Sequence, residues 1–331
     1  MTGDLLSEVF DVVEIRGLVS GSFTARGPWV ARSVLTVPLK FIAMARGQAR
    51  LAADGIGAPL DLQPGDIAIL NGGTWLELRG GTGEGPPREI AMPVGYSSFH
   101  DAAADLADAD DIVLGGHIKL NPAGEALLLE ALPPVGHVRA SASAAPRLCS
   151  SLDRILDEAV GNLMGSAFAI RQHGQLLLLD MLRAYVDQAV LPPGRLRLLA
   201  DEQLRPALEL MHAEPGRPWR LEELARAASM SRTTFAARFR LVAGVPPLTY
   251  LSRWRMLLAQ RALREGNERI ASLASVLGYA SESAFSTAFK REVGEAPQRY
   301  RYRYRYQMRD EAEARAGDQT SGHRPVGRLG G

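Results

Sequence analysis

The stretch MSRTTFAARFRLVAGVPPLTY, residues 230–250, recurs fifty residues later as ASESAFSTAFKREVGEAPQRY, residues 280–300. Both copies hold a serine, two phenylalanines spaced by four residues, a glycine, a proline and a tyrosine at matching positions. Upstream, Leu224-Ala225 recurs as Leu273-Ala274 at an offset of 49 residues. Two copies are too few for a solenoid, which needs about three repeats to bury its core. The repeat therefore predicts a small supersecondary motif that the chain uses twice.

Each copy has the pattern of two helices joined by a tight turn. In the first copy, the apolar residues at helical spacing before the turn are Leu221, Leu224, Ala225 and Ala228. Ser231 and Ser281 suit helix caps, because a serine hydroxyl accepts a hydrogen bond from a free backbone N–H of the first turn. Gly244 and Gly294 suit the ends of the second helices. Such a motif is either an ordinary helical hairpin or a DNA-binding helix-turn-helix, and two matched copies favour the second.

The face of each second helix opposite its phenylalanines is expected to contact DNA bases. Across the two copies this face carries Arg232, Thr233, Ala236, Ala237, Glu282, Ser283, Ser286 and Thr287. Threonine and alanine can contact the thymine methyl group, serine and threonine can bond to base edges, and glutamate can accept from cytosine N4. Arg240, Lys290 and Arg291 lie farther along these helices and suit phosphate contacts. A solvated face without a ligand is the alternative, but long lysine and glutamate side chains are more typical of such a face.

The segment between the copies and the local charge both fit DNA binding. Residues 247–264 predict one helix, about 27 Å long at roughly 1.5 Å per residue. Recognition helices enter successive major grooves about 34 Å apart, so a helix of this length suits the spacing. Residues 217–305 hold 17 arginine and lysine residues and 7 aspartate and glutamate residues, a net charge of +10 in a chain of net charge +1. Such a basic segment predicts contact with DNA phosphates.

These features resemble the AraC family of bacterial transcription regulators over residues 205–303. The resemblance is carried by LEELARAASMSRTTFAARFRLVAGVPPLTYLSRWRM and by IASLASVLGYASESAFSTAFKREVGEAPQRYR. It implies an all-α domain of two helix-turn-helix units joined by a linker helix, which binds double-stranded promoter or operator DNA and, in an activator, RNA polymerase. Ala236 and Ala237 stand where family members often carry longer polar side chains. Under the first unit we therefore expect thymine methyl groups and groove shape to matter more.

Residues 1–145 have a different texture. Short apolar runs between glycine, proline and asparagine, as in GDIAILNGG and TWLELRGG, predict an all-β barrel or jelly roll, with Pro64 and Gly65 at the centre of a tight turn. Trp29 and Trp75 suit either the core or the lining of a pocket, and core packing is the favoured role for both. The segments RGPW, LQPGDIAIL, GGHIKL and LLLEALPPVGHVRA resemble the cupin-like effector domain of many AraC-family proteins. That resemblance implies a small-molecule effector bound inside the barrel. Neither its identity nor the residues that bind it follow from the sequence.

No catalytic or metal site emerges from the residues. Catalytic cupins usually hold a metal through two histidines separated by one residue, a glutamate and a further histidine, whereas His100, His117 and His137 are 17 and 20 residues apart. The chain also has no nucleophile triad or phosphate-loop pattern. We therefore predict no enzyme activity, no metal and no cofactor. A cupin-type enzyme fused to a DNA-binding module, or a DNA-binding architectural protein of low specificity, are the alternatives.

Residues 146–204 change to helical periodicity and predict a helical linker. Its apolar stripe consists of Leu176, Leu179, Leu182 and Val186. This stripe suits either core packing or a dimer face, and the family resemblance favours a homodimer. The chain should thus comprise an effector domain over 1–145, this linker, and a DNA-binding domain over 205–306.

The ends of the chain add further expectations. Residues 307–331 have almost no large apolar side chains and predict a disordered tail. The arginines just before it, which suit either phosphate contacts or a charged helix end, are Arg301, Arg303 and Arg305.

Compartment and function complete the prediction. The lone Cys149 permits no intramolecular disulfide and fits a reducing compartment. The acidic start MTGDLLSEVFD is unlike a signal peptide, and no segment reaches about 18 uncharged apolar residues, so we predict no membrane span. We predict a cytoplasmic, two-domain, sequence-specific DNA-binding transcription regulator, a ligand-responsive activator.

Overall fold

The structure is a computed structural model of the 331-residue chain. It describes residues 4–5, 7–8, 15–17, 21–92, 109–121, 124–125, 128–129, 132–140, 145–161, 163–188 and 191–306. The chain divides into two compact units, the first ending at Asp201 and the second starting at Glu202. The predicted disorder of 307–331 concerns residues outside the described part.

The first unit contains two five-stranded sheets and one pair of short strands. The strands are β1 (Ile15–Gly17), β2 (Gly21–Ala25), β3 (Trp29–Val34), β4 (Leu39–Arg46), β5 (Ala49–Ala53), β6 (Leu60–Leu62), β7 (Ile67–Asn71), β8 (Trp75–Gly80), β9 (Arg88–Ala91), β10 (Asp111–His117), β11 (Lys119–Leu120) and β12 (Val135–Val138). One sheet has the order β12-β7-β4-β10-β2, the other has the order β6-β5-β8-β3-β9, and β1 pairs with β11. This arrangement confirms the predicted all-β architecture of the amino-terminal part.

The main core of the first unit lies between the two five-stranded sheets. Ile42 and Met44, which alternate along β4, belong to the same buried cluster as Leu51 and Leu78 of the other sheet. Trp29 lies in this cluster with 1% of its surface exposed, so the core position expected for it is confirmed. Because successive side chains of a strand point to opposite faces, each five-stranded sheet can place only alternate residues in this core.

Two local expectations have opposite outcomes. The turn around Pro64 and Gly65 is confirmed, because the Asp66 N–H donates to the Gln63 carbonyl at 2.9 Å and Gly65 has a φ of 85°. The core position expected for Trp75 is wrong, because 44% of its surface is exposed. Because side chains alternate along a strand, the neighbouring Leu76 lies in the core instead.

In the described part of the first unit, the helices with defined bounds are α1 (Ala145–Gly161), α2 (Ser166–Gln188) and α3 (Arg195–Ala200). Helix α1 contacts β4, and α2 contacts both α1 and β12. The Ser151 hydroxyl donates to the Asp180 carboxylate at 3.1 Å and joins α1 to α2. Much of the segment predicted as a helical linker is therefore helical but packs onto the sheet of the first unit.

The apolar stripe predicted on α2 is only partly correct. Leu182 is buried, but 54% of Leu176 is exposed. The remaining buried large side chains of this helix are Ile170, Leu177, Leu178, Met181 and Tyr185. A run of four leucines places apolar groups around much of the helix, so periodicity alone did not fix which side packs inward.

The second unit is helical in its described residues. Its helices are α4 (Arg205–Ala213), α5 (Leu221–Ala227), α6 (Arg232–Ala243), α7 (Pro247–Glu265), α8 (Ile270–Val276) and α9 (Glu282–Val293), and residues 297–306 are also helical. Helix α7 contacts both α6 and α9, so it buries side chains on more than one side. The pairs α5–α6 and α8–α9 are the two helix-turn-helix units that the repeat predicted.

Candidate nucleic-acid interface

Helices α6 and α9, the two recognition helices, begin with the same cap and end with the same backbone geometry. The Ser231 hydroxyl accepts from the Thr234 N–H at 3.2 Å, and the Ser281 hydroxyl accepts from the Ala284 N–H at 3.1 Å. Gly244 and Gly294 follow the helices with φ values of 74° and 89°. The left-handed backbone at these positions favours glycine and ends each helix. The local signals in the repeat therefore set both ends of both helices.

The turns before the recognition helices also share one hydrogen-bond pattern. The Met230 N–H donates to the Ala225 carbonyl, and the Tyr279 N–H donates to the Ala274 carbonyl, each at 2.9 Å. One residue in each turn adopts a left-handed conformation, Ser229 with a φ of 53° in the first unit and Gly278 with a φ of 78° in the second. The offset of 49 residues aligns these two positions.

Buried aromatic rings fix the rotation of each recognition helix. Phe235 and Phe239 are fully buried, with ring centroids 5.7 Å apart, and Phe239 lies 5.7 Å from Tyr250. In the second helix-turn-helix unit, the ring centroids of Phe285 and Phe289 are 5.8 Å apart, and those of Phe289 and Tyr300 are 5.5 Å apart. Because residues four apart share a helix face, this packing turns the opposite face outward.

The outward faces carry the residues predicted to contact bases. Residues 231–240 and 281–290 have the same order of exposed, half-buried and buried positions. Among the predicted base contacts, Ala236 and Ser286 are half-buried and the others are exposed, namely Arg232, Thr233, Ala237, Glu282, Ser283 and Thr287. The predicted phosphate contacts Arg240, Lys290 and Arg291 are exposed as well. The structure thus brings each set together on its own helix, and DNA contact by these residues stays a prediction.

One predicted base contact already has a protein partner. The Arg232 guanidinium lies 3.1 Å from the Glu222 carboxylate of α5, and both side chains are more than half exposed. Exposed ion pairs of this kind contribute about 0–1 kcal/mol to stability. The second unit has no equivalent pair, because Ala271 and Glu282 occupy the matching positions. Local periodicity gave no signal for this contact.

The segment before α5 is held by the linker helix α7. The Arg255 guanidinium donates to the Pro215 carbonyl at 2.5 Å and to the Arg217 carbonyl at 3.0 Å. Burial lowers the pKa of Arg255 from its ordinary value, and both carbonyls accept hydrogen bonds from its guanidinium group. Arg253 lies two residues earlier, on nearly the opposite face of α7, and pairs with Glu292 of α9 at 3.3 Å. Helix α7 therefore bonds both to the segment before the first helix-turn-helix unit and to the recognition helix of the second.

Several arginines of the basic segment are engaged within the chain. Arg301 donates to the Glu268 carbonyl at 2.6 Å, and Arg303 pairs with Glu295 at 2.6 Å. Arg305 donates to the side chain of Asn267. Of the two roles considered for these arginines, the structure favours the charged helix end.

The histidines of the first unit show no metal-ligand arrangement within the described residues. His137 lies 3.1 Å from Asp66, whose pKa is lowered by hydrogen bonds from His137 and from the Ala140 and Gln63 backbone, against the opposing effect of burial. His117 is on β10, and His100 lies outside the described residues. In the part of the chain that the structure covers, no three histidine, cysteine or acidic side chains form a group able to hold a metal.

Among the described helices, none combines the length and apolar character needed to cross a bilayer.

Comparisons with known proteins agree with both units. A family model described as Cupin matches residues 4–187, and one described as Helix-turn-helix domain matches residues 224–303. A putative AraC-like transcription regulator of Streptomyces lividans is 37% identical over 299 residues, which cover 90% of this chain and 97% of that protein. Another, of Streptomyces antibioticus, is 36% identical and covers 90% of this chain and 98% of that protein.

The solved structures similar to part of this chain include one of a domain bound to DNA. It is the DNA-binding domain of AdpA in complex with a target DNA, 33% identical, covering 32% of this chain and 96% of that domain with a TM-score of 0.31. The two family models and the nearly full-length relatives cover both halves of the sequence. The chain therefore belongs to the AraC-like transcription regulators, with a cupin domain followed by a DNA-binding helix-turn-helix domain.

Proposed function

We propose that the protein is a sequence-specific, ligand-responsive transcription activator of the cytoplasm, without enzyme activity. The observation that carries DNA recognition is the pair of recognition helices with one pattern of burial and different outward side chains. Two recognition helices that share a pattern of burial but differ in their exposed residues suit a DNA site of two unequal halves. Its relatives are named as transcription regulators, which supports a regulator rather than an enzyme.

We propose that the second helix-turn-helix unit makes stronger contacts with DNA phosphates than the first. Lys290 and Arg291 are both exposed at the end of α9, whereas the matching positions of α6 hold Arg240 and Leu241. Leu241 is 65% exposed and cannot bond to a phosphate. Each neutralised phosphate contributes about one unit to the dependence of log affinity on log salt concentration.

Selection from random DNA, followed by affinity measurements over a salt series, tests this function. A conserved two-part site should emerge, and Lys290→Ala should weaken binding to all sequences alike and lower the salt slope by about one unit. Arg50→Ala is the control, since Arg50 is exposed in the first unit and pairs with Asp61. Equal affinity for all sequences would instead indicate an architectural protein.

The response to an effector is proposed from the cupin domain. Transcription with purified RNA polymerase on a selected site, with and without candidate small molecules, should show ligand-dependent activation. Ligand-dependent repression would keep DNA binding and overturn the activator role. Stoichiometric metal in the purified protein would favour the cupin-type enzyme.

We also propose a homodimer that forms through the amino-terminal unit, which ends at Asp201. Large apolar side chains are exposed around the connection between α1 and α2, namely Val160, Leu163, Met164 and Phe168. Clustered exposed apolar groups are typical of protein interfaces. Sedimentation velocity should show a dimer that Phe168→Glu weakens, and a wild-type monomer at all concentrations would contradict the proposal.

A further inference from the structure

A notch lies between the two helices of the first helix-turn-helix unit, beside the start of α6. Its volume is about 350 Å³. The residues that line it are Glu222, Ala225, Arg226, Ser229, Met230 and Arg232. Two of them are positively charged and one is negatively charged, so the lining has a net charge of +1. A concave surface with an excess of positive charge suits a small anionic group.

Arg226 is an exposed cation of this notch. It lies on α5, one helical turn after Glu222, while Leu224 and Ala225 are buried and hold the helix against the rest of the domain. Among the described residues Arg226 forms no hydrogen bond or ion pair. Arg232, by contrast, pairs with Glu222 at 3.1 Å. Of the two lining arginines, Arg226 is therefore the one available to an incoming anion.

The second helix-turn-helix unit differs at the matching positions. Ser275 occupies the position of Arg226, Glu282 that of Arg232 and Ala271 that of Glu222. The whole of α8 contains no lysine or arginine. An anion site between the two helices is therefore a property of the first helix-turn-helix unit alone.

The geometry of a helix-turn-helix on DNA identifies the anion. The recognition helix enters the major groove with its first residues at the base edges, while the preceding helix crosses the sugar-phosphate backbone. In the first helix-turn-helix unit the preceding helix is α5, and Arg232 is the first residue of the recognition helix α6. The anionic group that meets α5 beside Arg232 is thus a backbone phosphate.

We propose that Arg226 binds a DNA phosphate in this notch, next to the base pair that Arg232 faces. The inference rests on the proposed DNA-binding function and adds a contact on α5 to those proposed at the ends of α6 and α9. One phosphodiester carries one negative charge, which matches the net charge of the lining. Because Glu222 lies in the same notch, this contact should be weaker than that of Lys290 and Arg291 together.

Removal of one phosphate charge at a time tests the proposal on the full chain. Each phosphate of the selected DNA site is replaced in turn by an uncharged methylphosphonate, and affinity is measured by fluorescence anisotropy at low salt. Wild type should lose about 5-fold in affinity when the phosphate in the notch is replaced. Arg226→Ala should bind unmodified DNA about 5-fold more weakly and should be insensitive to replacement of that phosphate. Arg226→Lys should stay sensitive, because lysine also binds phosphate.

Lys290→Ala is the matched control, because Lys290 is an exposed cation of the second helix-turn-helix unit. It should become insensitive at a different phosphate, in the other half of the DNA site. Arg226 and Lys290 are both exposed, so neither substitution removes core packing.

The other outcomes separate this inference from the proposed function. If Arg226→Ala and wild type show the same fold-loss at every replaced phosphate, Arg226 contacts none of them, and the inference is overturned while the proposed function stands. Insensitivity of Arg226→Ala and Lys290→Ala at the same phosphate would overturn it as well. A wild type without preference for the selected DNA site would count against the proposed function instead.

Discussion

The two helix-turn-helix units have the same caps, the same buried phenylalanine pairs and the same terminal glycines, yet their turns differ. The first unit places Ser229 in the left-handed conformation, at a φ of 53°, and the second places Gly278 there, at a φ of 78°. The surroundings of these two residues explain why one turn holds a serine and the other a glycine. A Cβ atom at Gly278 would lie 2.1 Å from the carbonyl oxygen of Gly216, whereas Ser229 is exposed.

The comparison separates three kinds of position. Caps and phenylalanines set the frame of each unit, and outward residues such as Glu282 are left free by that frame. A third kind, represented by Gly278, is set by the place where one unit meets another segment of the chain. Gly216 belongs to the segment that Arg255 also holds, through the carbonyls of Pro215 and Arg217. That segment joins the start of the first unit to the turn of the second.

The largest effect is expected where the backbones meet. Gly278→Ser should lower the free energy of unfolding of the DNA-binding domain by about 3 kcal/mol. The serine would have to adopt a left-handed conformation, and its Cβ atom would clash with Gly216. Gly294→Ser is the matched control, because Gly294 has a φ of 89° and open space around its Cβ position. It should cost only about 1 kcal/mol. Denaturant unfolding measures both, and equal losses would show that the close approach contributes nothing.

The next effect concerns unequal half-sites. Glu282→Ala should relax the preference at one base pair, a cytosine bonded through N4, by up to about 1–3 kcal/mol without abolishing binding. Glu292→Ala is the control, since Glu292 is exposed in the last turn of the same helix and pairs with Arg253. Selection from random DNA with each variant measures the preference. If Glu282→Ala and wild type select the same bases, Glu282 serves only the helix dipole.

The frame of the DNA-binding domain was predictable because its signals are local. A serine cap, phenylalanines spaced by four and a terminal glycine act within one helix, and the repeat allowed each to be checked against its copy. The contacts of Gly216 with Gly278 and of Arg255 with Pro215 join segments that are far apart in sequence. They depend on tertiary approach, for which helical spacing contains no information.

The cupin domain was predictable in its class and less so in its details. Short apolar runs between turn residues indicate strands, but LKFIAMAR does not show that β4 is covered on both faces. The burial of Lys40 follows from that cover, by α1 on one side and by the opposite sheet on the other. The sequence expectation that Trp75 is buried was wrong because the sequence does not show which face of β8 meets the other sheet, and alternation places Leu76 on that face instead.

A smaller effect should appear in the turn of the first unit. Ser229→Gly should raise the free energy of unfolding by about 1 kcal/mol, because glycine adopts the left-handed conformation without steric cost. Ser272→Gly is the control, an exposed serine inside α8 that should lose about 0.5 kcal/mol because glycine is a poor helix former. Thermal unfolding distinguishes the two signs. A loss at Ser229 would mean that its side chain stabilises the turn.

The smallest effect is expected at the ion pair that only the first unit contains. Glu222→Gln should change stability by less than about 1 kcal/mol, because both partners are largely exposed, 66% for Arg232 and 53% for Glu222. It should tighten DNA binding a few-fold at low salt, since Arg232 becomes available and one negative charge near the phosphates is removed. The double variant with Arg232→Ala separates these causes. If the gain disappears in the Arg232→Ala background, the pair restrains Arg232; if the gain persists in full, the charge of Glu222 acts on DNA by itself and the asymmetry between the units lies in charge alone.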